Sequence, residues 1–158
     1  MPQRERVAAA LAAAWLLLAP PLAGAAAAQQ ITVTRLADLS FGTVAAGTAK
    51  RVAPGDPGAG QFRVDAPPSA RIRLDFILPT VLTSAGQTMA VTFGNRDAAW
   101  SGQNDVTTAT TFDPNRRPRI RVPASGTIYV WIGGSVAPAA TQPSGIYTAP
   151  LTLSASVR

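Results

Sequence analysis

The stretch Arg71-Ile72-Arg73-Leu74-Asp75-Phe76-Ile77-Leu78 places Ile72, Leu74, Phe76 and Leu78 at every second position, with Arg71, Arg73 and Asp75 between them. Successive side chains of an extended chain point to opposite faces, so this spacing makes one apolar face and one charged face. The segment reads as a half-buried β-strand. Working outward, Ile31-Thr32-Val33-Thr34-Arg35-Leu36 alternates in the same way, and residues 88–93 bring Met89, Val91 and Phe93 together. Residues 127–132 are apolar on both faces, because Ile128, Val130 and Ile132 alternate with Tyr129 and Trp131. In residues 149–157, Leu151, Leu153, Ala155 and Val157 face one way while Thr152, Ser154 and Ser156 face the other. Pro54-Gly55-Asp56-Pro57-Gly58-Ala59-Gly60, Pro67-Pro68, Asp113-Pro114-Asn115, Gly133-Gly134 and Pro143-Ser144-Gly145 punctuate these runs as turns. Short strands divided in this manner predict an all-β domain, a single β-sandwich. Residues 97–118 are the least patterned and are expected to form a long surface loop.

Composition narrows the chemistry. The 158 residues include no Cys and no His, with 14 Lys plus Arg against 8 Asp plus Glu and a net charge of +6. Disulfides, thiolate nucleophiles and cysteine metal sites are excluded. The commonest general base is missing, and a Ser–His–Asp hydrolase is impossible.

Residues 1–28 read as a signal peptide. Arg4 and Arg6 give a positive start, residues 8–19 are uncharged and apolar, Pro20-Pro21 follows, and Ala26-Ala27-Ala28 offers small residues at a cleavage site. The run is shorter than the roughly 20 apolar residues a spanning helix needs. The expected mature chain is 29–158, one domain without a membrane span. Arg4, Glu5 and Arg6 leave with the leader, which takes the net charge from +6 to +5. The expected destination is the periplasm, the cell surface or the medium.

Three segments carry a resemblance. The first is Ile31-Thr32-Val33-Thr34, then Asp38-Leu39-Ser40-Phe41-Gly42-Thr43-Val44 and Gly47-Thr48. The second is Phe62-Arg63-Val64-Asp65-Ala66-Pro67-Pro68, running into the alternating strand. The third is Val130-Trp131-Ile132-Gly133-Gly134, then Gln142-Pro143-Ser144-Gly145-Ile146-Tyr147-Thr148 and the last strand. Their order and spacing resemble the bacterial secreted domain-of-unknown-function family 4402, which is similar in turn to spore coat protein U and chaperone–usher pilins.

The resemblance implies an immunoglobulin-like, pilin-like sandwich and a structural role in a pilus, coat or surface layer. Its partners would be further copies or related subunits, with a periplasmic chaperone and an usher. Phe41, Gly42, Trp131, Gly133, Gly145 and Tyr147 are the motif residues it marks. Two departures stand out: the disulfide frequent in pilin relatives is absent, and Pro150 stands where a small residue is usual. Proline cannot donate to a strand ladder, so the last strand should begin at Leu151 or lie at a sheet edge.

Assembly of such subunits proceeds by strand addition at an open sheet edge. Ile31, Val33 and Leu36 on the first strand, with Leu151, Leu153 and Val157 on the last, are the candidate assembly residues. Ile31–Leu36 reads equally as the first strand of a closed sandwich. Arg116, Arg117, Arg119 and Arg121 form the densest charge cluster. They read as a solvated loop leading to an edge strand guarded by charge, or as a patch for an anionic polysaccharide or other surface polymer. The second reading would make the protein a monomeric envelope module.

No aromatic residue interleaves with these arginines, so nucleic acid is not an expected partner. Tyr129, Trp131 and Tyr147 are expected to pack, and Trp100, in a polar stretch, to be exposed. Asp97, Asp105 and Asp113 are spaced by eight, unlike a calcium loop. Asp65 and Asp75 sit in or beside strands, and Asp75 among arginines is expected to be an ion-pair partner. No carboxylates cluster as an acid and a nucleophile would. The expectation is a protein without catalysis, cofactor or metal.

Overall fold

The computed structural model describes residues 30–157. The expected signal peptide, residues 1–28, lies outside the described residues. The strands are β1 (Thr32–Ala37), β2 (Lys50–Val52), β3 (Gly60–Asp65), β4 (Arg71–Ile77), β5 (Val81–Ser84), β6 (Gln87–Thr92), β7 (Ala98–Ser101), β8 (Thr110–Phe112), β9 (Arg119–Arg121), β10 (Thr127–Ile132), β11 (Gly134–Ala137) and β12 (Thr152–Val157). They form three antiparallel sheets, ordered β1-β3-β10-β7-β8, β2-β11-β6-β5 and β12-β4-β9. The all-β expectation holds, and the layers make a sandwich. No helix among the described residues is long and apolar enough to cross a membrane.

Alternation decides what each sheet buries. On β4, Ile72, Leu74 and Phe76 point inward and are buried, as Leu153 is on β12 and Ile120 on β9. They meet Phe62, Val64, Ile128, Val130 and Ile132 from the facing five-stranded sheet. Phe62 and Phe76 contact edge to face at 6.2 Å between ring centres. Each such aliphatic or aromatic side chain contributes roughly 1.5–3 kcal/mol on burial. A smaller cluster of Met89, Val91 and Val136 lies on the four-stranded sheet, with Phe41, Val44, Leu82, Phe93 and Tyr147 packed against it.

One strand path serves two sheets. After Ile132 the chain passes through Gly133 and re-enters strand geometry at Gly134, moving from the five-stranded sheet to the four-stranded one. Sequence reading takes both glycines as a separator, whereas Gly133 alone divides the strands. A Cβ on Gly133 would collide with the Val52 carbonyl oxygen of β2. The Gly133 N–H donates to the Asp97 carbonyl at 2.7 Å. The Asp97 carboxylate, itself buried, accepts Arg51 Nη2 at 2.6 Å and the Gly94 N–H at 2.7 Å.

Three expectations need correction. Residues 97–118 are not one surface loop: they contain β7, a 3-10 turn at Val106–Thr108 and β8. Ala98 and Ala99 are buried, but small residues give little periodic signal. Trp100 is not exposed. It stands opposite Val130 and packs against the main core. Leu36 departs from the face of Ile31 and Val33, because it stands an odd number of positions from both, and it is 47% exposed beside the slip in the ladder between Arg35 and Ala37. The last strand begins at Thr152, after Pro150 and Leu151, and lies at a sheet edge as the proline requires.

Candidate functional site

Among the described residues β1 hydrogen-bonds only to β3 and β12 only to β4, so each has one unpaired edge. The two strands approach one another without joining into a sheet. Between them lies a depression of about 290 Å³, bordered by Val33 and Arg35 of β1, Phe62, and Leu151 and Leu153. It shares Arg35, Phe62 and Leu151 with a cavity of about 910 Å³ that continues over the smaller core cluster. The result is a trough whose floor is apolar and whose walls also carry Arg35, Asp38, Ser40, Gln142 and Thr148.

Two irregular segments wall the large cavity. Residues 38–44 turn at Gly42, whose φ of 58° is left-handed and favours glycine. The Lys50 ammonium donates to the Thr43 carbonyl at 3.1 Å and ties this wall to β2. Residues 142–149 form the other wall. Its hinge point, Gly145, lies so near the Ser84 side chain that a Cβ would come within 2.7 Å of Ser84 Oγ. Thr148 then bridges back to Thr83. The floor is supplied by Met89, Val91, Phe93 and Val136. At the rim, Arg35 pairs with Asp38 at 2.9 Å, an exposed contact of small energetic value.

Tyr147 fixes the second wall. Its ring packs on the smaller cluster, its hydroxyl donates to the Pro143 carbonyl at 2.9 Å, and Gln142 Nε2 donates to that hydroxyl at 2.6 Å. Tyr147→Phe keeps the ring and removes both bonds. It should cost about 1 kcal/mol, read as a lower urea midpoint with an unchanged slope.

The structure gathers most of the assembly and motif residues here. Val33, Leu151 and Leu153 border the narrow end, and Phe41, Gly42, Gly145 and Tyr147 line the wide one. Ile31 is half-buried beside the main core, while Leu36 and Val157 are exposed on the two flanking strands. Trp131 lies elsewhere, on the outer face of β10 beside Tyr129, with ring centres 6.3 Å apart. Sequence reading missed Phe62, Leu82 and Val136 as trough residues. Their alternation marks them as inward-facing, but no local pattern says that they border a cavity.

The basic cluster does not act as one unit. Arg116 turns back to Asp113 at 3.4 Å, and Arg117 reaches Asp75 at 2.8 Å, the pairing expected of Asp75. The Asn115 side-chain and backbone donors, with Arg116 alongside, hold the Asp113 carboxyl below its ordinary value. Arg119 and Arg121 stand on β9, an edge strand. The three aspartates whose spacing does not match a calcium loop are held in separate local networks: Asp97 by Arg51 and Gly94, Asp105 by Thr107, Asp113 by Asn115.

The sequence pattern of the domain of unknown function DUF4402 matches residues 31–156. The chain belongs to the DUF4402 family. No curated protein matches it. The DUF4402 span opens at Ile31 beside β1 and closes at Ser156 within β12, so both strands flanking the trough belong to the domain. Of the six motif residues, Phe41, Gly42, Gly145 and Tyr147 line the trough, and Trp131 and Gly133 do not.

Proposed function

We propose that this DUF4402 protein is an exported, non-catalytic structural subunit of a pilus, coat or surface layer. Subunits join when an extended segment of one molecule enters the trough of the next. This reading includes the kinship with spore coat protein U and chaperone–usher pilins. The observation that carries it is the trough between β1 and β12, each with an unpaired edge. An added strand would satisfy backbone groups on those edges and cover the half-buried Val33 and Leu151. Until then the edges are a liability, which a periplasmic chaperone would cover and an usher would exchange. The absence of His and Cys is in keeping with a role that needs no catalyst.

Leu36 and Val157 are 47% and 48% exposed, one on each flanking strand, and neither belongs to the two core clusters. Light scattering on a sizing column should show the purified protein associating as concentration rises, in ladders or fibres. Leu36→Lys combined with Val157→Lys should shift it to monomer, because charge on an edge opposes strand addition. Its thermal midpoint should stay within the range of ordinary surface substitutions, about 0.5 kcal/mol. A wild-type protein that remains a cooperatively unfolding monomer over a wide concentration range would defeat the proposal.

A further inference from the structure

The outer face of the β12-β4-β9 sheet carries an arrangement that strand assembly does not use. Register places Arg71 directly opposite Arg121 and Arg73 directly opposite Arg119. Ile72, Leu74 and Ile120 between them are buried, so all four arginines belong to the outward side. Like charges directly opposed on neighbouring strands are destabilising. The carboxylate on that side of β4, Asp75, is engaged by Arg117. No carboxylate lies within ion-pair distance of Arg71, Arg119 or Arg121 among the described residues.

Protection of an edge explains arginines on β9, the outermost strand. It does not explain Arg71, which stands on β4, the central strand of that sheet. Nor is the choice of residue neutral: the chain holds a single lysine, Lys50, and its other basic side chains are all arginine. Guanidinium groups present forked donors that match carboxylate and sulfate groups in two-point contacts.

We propose that this face binds an acidic polysaccharide through Arg71, Arg119 and Arg121. The pairs stand about 5 Å apart across the strands and about 7 Å apart along them, so an extended chain bearing charge on successive sugars meets more than one row. The face is an open sheet surface, and none of these arginines lines the trough. Ser156 of β12 lies opposite Arg73 and adds a hydroxyl to the same row. The outward positions of these strands hold no aromatic side chain, so there is no platform on which bases would stack. That favours the polysaccharide over single-stranded nucleic acid. The site is independent of the trough.

The test uses polygalacturonate as the probe, with neutral dextran and duplex DNA beside it, measured by calorimetry and by thermal shift. Polygalacturonate should bind, raise the thermal midpoint, and weaken as salt is added. Arg71→Gln with Arg121→Gln should reduce its affinity at least about tenfold without lowering the midpoint, since the change removes two opposed charges. Arg63→Gln with Arg116→Gln makes the same change in net charge off this face and should leave affinity nearly intact. Arg119→Gln alone, with a smaller loss expected, serves if the double variant does not fold. Four results each overturn the proposal: no binding of polygalacturonate, equal binding of dextran, tighter binding of DNA, or equal loss in the off-face variant.

Discussion

Gly133→Ala should abolish folding or cost more than about 3 kcal/mol. The cause is space. An alanine Cβ would strike the Val52 carbonyl oxygen and come within 2.9 Å of its carbon and 3.0 Å of the Ala53 carbonyl carbon. All three are backbone atoms of β2 or its exit, so no side-chain rotation relieves the clash. Relief would require β2 to leave β11, where Val52 pairs with Gly134. Gly86→Ala is the control. Gly86 has a φ of 81° with open space around it, so alanine there meets conformational strain alone. That strain is about 1–2 kcal/mol. Urea unfolding of the two variants compares the effects, and equal losses would mean that close approach at Gly133 is not what matters.

The second large effect is at Asp97. Its side chain is 4% exposed and accepts Arg51 Nη2 and Nε, at 2.6 and 3.2 Å, besides the Gly94 N–H. Asp97→Ala strips the acceptor from a guanidinium and a backbone donor together. Arg51 is 56% exposed and regains water, which moderates the loss. The expected cost is about 2–3 kcal/mol. Asp97→Asn keeps one acceptor and should cost less than the alanine. If the two variants unfold at the same urea concentration, the hydrogen bonds are not the source of the loss. The Asp97 carbonyl also receives the Gly133 N–H, so both predictions concern one junction where the strand changes sheets. Their effects should therefore not add.

How much of this was legible in the chain differs by element. β4, β6, β10 and β12 could be read because apolar residues recur at every second position along each, and alternation over that length is a strong signal. β7 and β8 could not: Ala98 and Ala99 are buried but too small to mark a face, and β8 has three residues. Trp100 was misplaced for a related reason. Its neighbours in sequence are polar, yet its neighbour in space is Val130, which only the strand pairing supplies. The candidate site was half visible. Phe41, Tyr147, Leu151 and Leu153 could be picked out residue by residue. That they share one trough depends on which strand edges stay unpaired, a property of topology rather than of any window of sequence. The arginine face shows the same limit. Arg71 and Arg121 are fifty positions apart, and only the β4–β9 register sets them opposite each other.

The bond from Lys50 to Thr43 has a practical side. Lys50 is the chain's single lysine, and it anchors the wall of the trough near Gly42. Amine-directed chemistry on this protein therefore has one side-chain target besides the terminal amine. A fluorophore attached there would sit at the trough's margin and respond to whatever enters, turning an unmodified chain into its own reporter of occupancy.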